Sequence, residues 1–266
     1  TWKNILYVDQ KTGATDIKMD PRNPNKLYAS MWQFRRWPYR FESGGPGSGL
    51  YVSLDGGETW DLKTEEDGLP AGELGRITID ISESNSNIVY ALAEAKKSAL
   101  LRSNDGGNTW NKVNEEFNVA DRPFYYSEIE VDTNDADTIY NIATGIRRSI
   151  DGGKTFTPIS KITCCAAGNT VHIDNHALWI NPEDSEHLIL GNDGGVQITQ
   201  DAGDSWRFVQ NLPISQFYHI RVDNAHPYNI YGGLQDNGSW RGPGEIWQTA
   251  GIRNLHWQEI GFGDGF

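Results

Sequence analysis

Short stretches in which apolar and polar residues alternate recur along the whole chain. They read as β-strands half buried on one face. The segments IKMDPRNPNKLYAS (17–30), ITIDISESNSNIVYAL (77–92), IEVDTNDADTIYNIA (129–143), LWINPEDSEHLIL (178–190) and IRVDNAHPYNIYGG (220–233) share one plan. Each is an alternating strand, a polar turn and a second strand. No segment carries the 3.6-residue periodicity of a long amphipathic helix.

Between these hairpins lies a second repeat. Ser53-Leu-Asp55-Gly-Gly57-Glu-Thr59-Trp60, Ser103-Asn-Asp105-Gly-Gly107-Asn-Thr109-Trp110, Ser149-Ile-Asp151-Gly-Gly153-Lys-Thr155-Phe156 and Thr199-Gln-Asp201-Ala-Gly203-Asp-Ser205-Trp206 begin 50, 46 and 50 residues apart. Each octet has a physical reading as a fastener. The Asp carboxylate accepts backbone N–H groups across a turn, the glycines take positive φ, and the Trp or Phe wedges between sheets. A four-stranded unit at this period cannot cover both faces of its own sheet. The expected fold is therefore an all-β propeller of four-stranded antiparallel blades. About five blades are expected, at 14–63, 75–114, 125–160, 171–210 and 216–260. Residues 1–8 would be the outer strand of a preceding blade and 261–266 the start of a following one, within a larger propeller.

The four octets resemble the Asp-box (BNR) repeats of sialidases, of the glycoside hydrolase family 74 xyloglucanases and of sortilin-type receptor ectodomains. The runs HIDNHALWINPEDSEHLILGNDGG and QFYHIRVDNAHPYNIYGGLQDNGSW, with the final GFGDGF, more closely resemble exported bacterial proteins of the sortilin-like or glycosyl-hydrolase-like BNR group. The resemblance implies a propeller in an exported protein, periplasmic, cell-surface or secreted, whose signal peptide is not in this chain.

Composition narrows the partners. A net charge of −13 over 266 residues opposes binding to a nucleic-acid backbone. No apolar run approaches the ~20 residues that span a bilayer, so membrane insertion is not expected. Cys164 and Cys165 are adjacent and read as free or partly buried thiols. No cofactor is implied.

Strand alternation puts the octets at one pole and the loops 31–48, 64–75, 114–124, 161–176, 191–195 and 233–239 at the other. A polar set at that second pole exceeds what turns require: His172, Asp174, Asn175 and His176, then Asn192 and Asp193, Gln235, Asp236 and Asn237, and Asp264. Asp174 and Asp236 are the candidate carboxylate pair for glycoside hydrolysis. His172, Asp174 and His176 alternate in the weak metal-compatible pattern H-x-D-x-H. The loop Trp32-Gln-Phe34-Arg-Arg36-Trp37-Pro-Tyr39-Arg-Phe41 packs five aromatics and three arginines into ten residues, a composition suited to stacking on sugar rings or clasping a peptide. The expected partners are a carbohydrate or peptide ligand, together with neighbouring blades of the same parent chain or a second copy. The expected function is ligand binding at the pole opposite the Asp boxes, with glycoside hydrolysis and a ligand-free scaffold as alternatives.

Overall fold

The computed structural model describes residues 2–163, 170–212 and 214–266, so Cys164 and Cys165 lie outside the described residues. The architecture is all-β and propeller-like, built of five successive antiparallel sheets. The first contains β1 (Thr12–Asp20), β2 (Asn23–Trp37), β3 (Arg40–Ser43), β4 (Gly49–Ser53) and β5 (Asp61–Lys63), with β3 paired only to the far end of β2. The second is β6 (Ile77–Ile81), β7 (Val89–Ala93), β8 (Ala99–Ser103) and β9 (Asn111–Asn114). The third is β10 (Glu128–Val131), β11 (Ile139–Ile142), β12 (Ile146–Ser149) and β13 (Thr157–Pro158). A short parallel pair, β14 (Lys161–Thr163) and β15 (Thr170–His172), precedes the fourth sheet. That sheet is β16 (Asn175–Asn181), β17 (Asp184–Asn192), β18 (Gly195–Thr199) and β19 (Arg207–Phe208). The fifth is β20 (Phe217–Val222), β21 (Asn229–Leu234), β22 (Ser239–Pro243) and β23 (Gln258–Gly261).

Period-2 alternation gives each sheet two faces, and the apolar face of one sheet packs on its predecessor. Ile77, Ile79 and Ile81 of β6 form one core with Tyr28, Leu50 and Val52 of the first sheet. Ile129, Val131 and Ile139 pack on Tyr90, Leu92 and Leu100 of the second. Leu178, Ile180, Leu188 and Leu190 pack on Tyr140, Ile142 and Ile146 of the third.

The octets fold as their composition predicts. In the first, Asp55 accepts from Thr59 N at 2.9 Å and from the Thr59 hydroxyl at 2.6 Å, while Ser53 Oγ accepts from Gly57 N at 2.9 Å. The same three bonds recur around Asp105, Asp151 and Asp201. Trp110 and Trp206 are buried between sheets and Phe156 packs against the core between the second and third sheets, whereas Trp60 is half-buried. Each box also locks to the hairpin turn of its own sheet, as in Gly106 N to Asn87 O at 2.8 Å. Tyr28 then reaches across to the next sheet, donating to Gly106 O at 2.8 Å. A Cβ on Gly107 would meet the Tyr28 ring at 2.6 Å, so this approach requires glycine.

One segment departs from the expected loop. Residues 31–48 do not merely connect strands: β2 runs on to Trp37 and β3 pairs back on it, with Trp37 opposite Arg40 and Phe34 opposite Ser43. The alternating Gln33, Arg35 and Trp37 continue the strand period, and Pro38-Tyr39 supplies a two-residue turn. The first sheet therefore extends a two-stranded ribbon over the pole opposite the Asp boxes.

Candidate functional site

The ribbon ends against the third sheet. Trp32 meets Phe34 at a tilt, 4.4 Å between centroids, Phe34 meets Phe41 edge-on at 5.3 Å, and Phe41 meets Phe124 at 4.9 Å. Trp32 is further fixed by donating its indole N–H to Ser43 Oγ at 3.1 Å. Of the sequence-predicted aromatic set, Trp32 and Phe34 are half-buried in this packing, while Arg36, Trp37 and Tyr39 lie exposed toward the tip.

Beyond Phe124 the line of rings continues through Tyr125 and Tyr126 to His176, which makes edge contacts with both at 5.6 and 5.8 Å. The Arg122 guanidinium lies over the two tyrosine rings at 5.1 and 5.0 Å, a cation–π arrangement. Arg76 of the second sheet holds this platform in place, donating to Tyr125 O at 3.0 Å and to Glu128 Oε1 at 2.8 Å.

Carboxylates converge on the platform. Asp174 takes a left-handed backbone, φ 62°, and accepts from Tyr126 OH at 2.7 Å, with Arg122 at 3.9 Å. His176 Nε2 meets Asp193 Oδ1 at 2.9 Å. Asp236 sits at φ 59° in a tight turn, and its backbone N–H donates to Asp264 Oδ1 at 3.0 Å. Burial first, then the charges of Asp193 and Asp264, push the Asp236 carboxyl above its ordinary value. Asn237 Nδ2 bridges the fourth and fifth sheets, donating to Asp193 O and Gln235 O at 2.9 Å each. Tyr218 closes the far side, donating to Asp264 at 3.2 Å and stacking on Phe266.

The sequence set thus divides in two. Asp174, His176, Asp193, Gln235, Asp236, Asn237 and Asp264 gather at the mouth, where the neighbouring charge that chiefly raises the Asp236 carboxyl is that of Asp193 rather than Asp174. His172 and Asn175 are buried in the fourth sheet's junction instead. The His172 ring bonds Ile173 O at 2.8 Å and packs under Gly194. Asn175 Nδ2 donates to Ala143 O and Thr144 O across the sheets. The left-handed Asp174 breaks the extended alternation that H-x-D-x-H requires, and among the described residues no group of three His, Cys, Asp or Glu is placed to hold a metal ion. Arg122, Tyr125 and Tyr126 were not singled out from sequence. The available signal was the run Arg122-Pro-Phe-Tyr-Tyr126, which begins in the 114–124 loop and ends just ahead of β10.

The BNR/Asp-box repeat family matches residues 51–62, the core of the first octet. A curated relative, an oligoxyloglucan-reducing end-specific xyloglucanase from Emericella nidulans, is 23% identical over 236 residues, which is 85% of this chain and 22% of the relative. The chain therefore spans about a fifth of that protein's length. Among solved structures, a GH74 xyloglucanase from Xanthomonas campestris is 12% identical, covering 98% of this chain and 44% of that one at a TM-score of 0.43. YCF48 from Cyanidioschyzon merolae is 15% identical, with coverages of 94% and 72% and a TM-score of 0.46. Among the described residues no helix is long and apolar enough to cross a membrane.

Proposed function

We propose that this chain is a glycan-binding propeller module of an exported protein, with its ligand at the mouth opposite the Asp boxes. The observation that carries the reading is the exposed Tyr125 ring beside the mouth carboxylates, with His176 set edge-on against that ring and bonded to Asp193. A carboxylate accepts hydrogen bonds from sugar hydroxyls, and its charge strengthens them. Tyr125 supplies a flat face for a pyranose ring, and His176 and Arg122 add polar groups at its edge. The xyloglucanase relative makes neutral β-glucan oligosaccharides the first ligands to try. A further four-stranded sheet is proposed as a partner on the uncovered apolar face that carries Ile17 and Met19.

Calorimetric titration with xyloglucan- and cellulose-derived oligosaccharides tests the reading. Binding is expected to weaken about tenfold or more in Tyr125→Ala and in Asp193→Asn, as when a stacking face or a charge-assisted bond is lost. No binding by the wild type, or binding indifferent to both substitutions, rejects it.

A second reading, glycoside hydrolysis, is favoured by the raised Asp236 carboxyl, since a general acid must hold its proton. Asp174, Asp193 and Asp264 are nevertheless each engaged by a protein group, Tyr126 OH, His176 and the Asp236 amide, so none stands free as the base or nucleophile that Asp236 would need. That engagement ranks binding ahead of catalysis. Release of reducing sugar from xyloglucan, abolished by Asp236→Asn, would reverse the order.

A further inference from the structure

The ribbon formed by β2 and β3 has two faces with different fates. Cross-strand partners share a face, so Phe34 and Phe41 lie with Arg36 on one side, and Arg35, Trp37, Arg40 and Glu42 lie on the other. The first side is used up in packing, through Phe34–Phe41 and Phe41–Phe124. Among the described residues no ring packs on the second side. Trp37 is 39% exposed, with Arg40 directly opposite it in register, and Tyr39 in the turn is 85% exposed. Arg35 is tied to Phe34 O and Gln10 O, and Arg40 pairs with Glu42. Residues 34–43 carry three arginines and one glutamate in a chain whose net charge is −13. The ribbon tip is thus a basic, aromatic island on an acidic protein.

We infer that this tip is a second binding surface, separate from the mouth, for the uronate residues of an acidic polysaccharide. The C–H face of a pyranose covers an indole, and a carboxylate carried on that ring lies near its plane, within reach of a guanidinium flanking the indole. Trp37 with Arg40 opposite provides this combination, and Arg36 and Tyr39 extend it around the tip. A guanidinium takes a carboxylate through two parallel N–H bonds. The exposed Arg40–Glu42 pair is weak and yields to a ligand carboxylate that brings a ring contact with it. A neutral glycan would leave the arginines unused, and an acidic peptide would leave the indole face unused. The four mouth aspartates, Asp174, Asp193, Asp236 and Asp264, repel the same anion, so the two surfaces select different ligands.

Oligogalacturonate titrated into the intact chain at low salt tests this, with fully methyl-esterified oligogalacturonate and poly-L-glutamate as comparison ligands. The acid form is expected to bind about tenfold or more tightly than the ester and to weaken steeply with added salt. Trp37→Ala and Arg40→Gln, both at an exposed tip that circular dichroism should show folded, are each expected to cost about tenfold. Tyr125→Ala is expected to leave this affinity unchanged while it weakens binding of xyloglucan oligosaccharides, which separates failure here from failure of the mouth reading. Equal affinity for ester and acid, loss of binding in Tyr125→Ala, indifference to Trp37→Ala, poly-L-glutamate binding as tightly as the uronate, or no binding at all would each overturn it.

Discussion

At the scale of single residues, the fourth octet shows how local geometry constrains sequence. Ala202 stands where Gly56, Gly106 and Gly152 stand in the other boxes, and it adopts the same left-handed conformation, φ 53° against 75°, 70° and 74°. Its amide still locks to Glu186 O at 2.9 Å, so the turn is kept despite the Cβ. A left-handed alanine carries a steric penalty that glycine lacks, partly offset by the greater entropy glycine loses on folding. Ala202→Gly is therefore expected to stabilise the protein by about 0.5–1 kcal/mol, read as a rightward shift of the urea unfolding midpoint. A leftward shift would show the position to be unstrained. These boxes were legible because their chemistry is local: donor, acceptor and turn lie within eight residues. The roles of His172 and Asn175 were not, because burial depends on which sheet the segment meets, and Asn175 is fixed by carbonyls more than thirty residues away.

At the scale of strands, three inner strands carry a charged row that alternation alone suggests is exposed. Lys18 of β1, Asp80 of β6 and Glu130 of β10 occupy equivalent register positions, opposite Tyr28, Tyr90 and Tyr140. Lys18 Nζ meets Asp80 Oδ1 at 3.0 Å, and Asp80 Oδ2 accepts from Val131 N at 2.6 Å, tying the three sheets together. Burial, then the Asp80 charge, push the Glu130 carboxyl up to about 8, with Glu128 adding to the rise and Lys18 opposing it. A carboxyl raised in the folded state favours folding while it stays protonated. Its contribution is full below the ordinary glutamate value and is lost as pH rises toward 8. Glu130→Gln removes that loss, so the fall in melting temperature between pH 5 and pH 8 is expected to shrink by on the order of 5 °C. An unchanged fall would mean that Glu130 is ionised throughout. The strands themselves were legible from period-2 alternation, since each buries one face. The ribbon was not: its alternation serves a surface projecting from the sheet, and its composition reads equally as a connecting loop.

At the scale of the molecule, the sheets are not equally secured. Asp223 N bonds Asn229 O as Asp132 N bonds Thr138 O, so Ile220 and Val222 of β20 correspond to Ile129 and Val131 of β10. Ile129 and Val131 are 2% and 5% exposed, whereas Ile220 and Val222 are 54% and 60% exposed. The fifth sheet therefore lacks the apolar seam that joins the second and third, and it meets the fourth through a polar contact at the mouth, Asn237 Nδ2 to Asp193 O. Local opening follows the density of buried apolar contact. Amides of β20–β23 are expected to exchange with deuterium about tenfold or more faster than those of β6–β9, whose core residues are almost wholly buried. Asn237→Ala removes the donor to Asp193 O, so it is expected to speed exchange in β20–β23 and weaken oligosaccharide binding while leaving β6–β9 unchanged. If the two sheets exchange alike, or if Asn237→Ala alters binding without altering exchange, the polar contact at the mouth is not what holds the fifth sheet to the fourth.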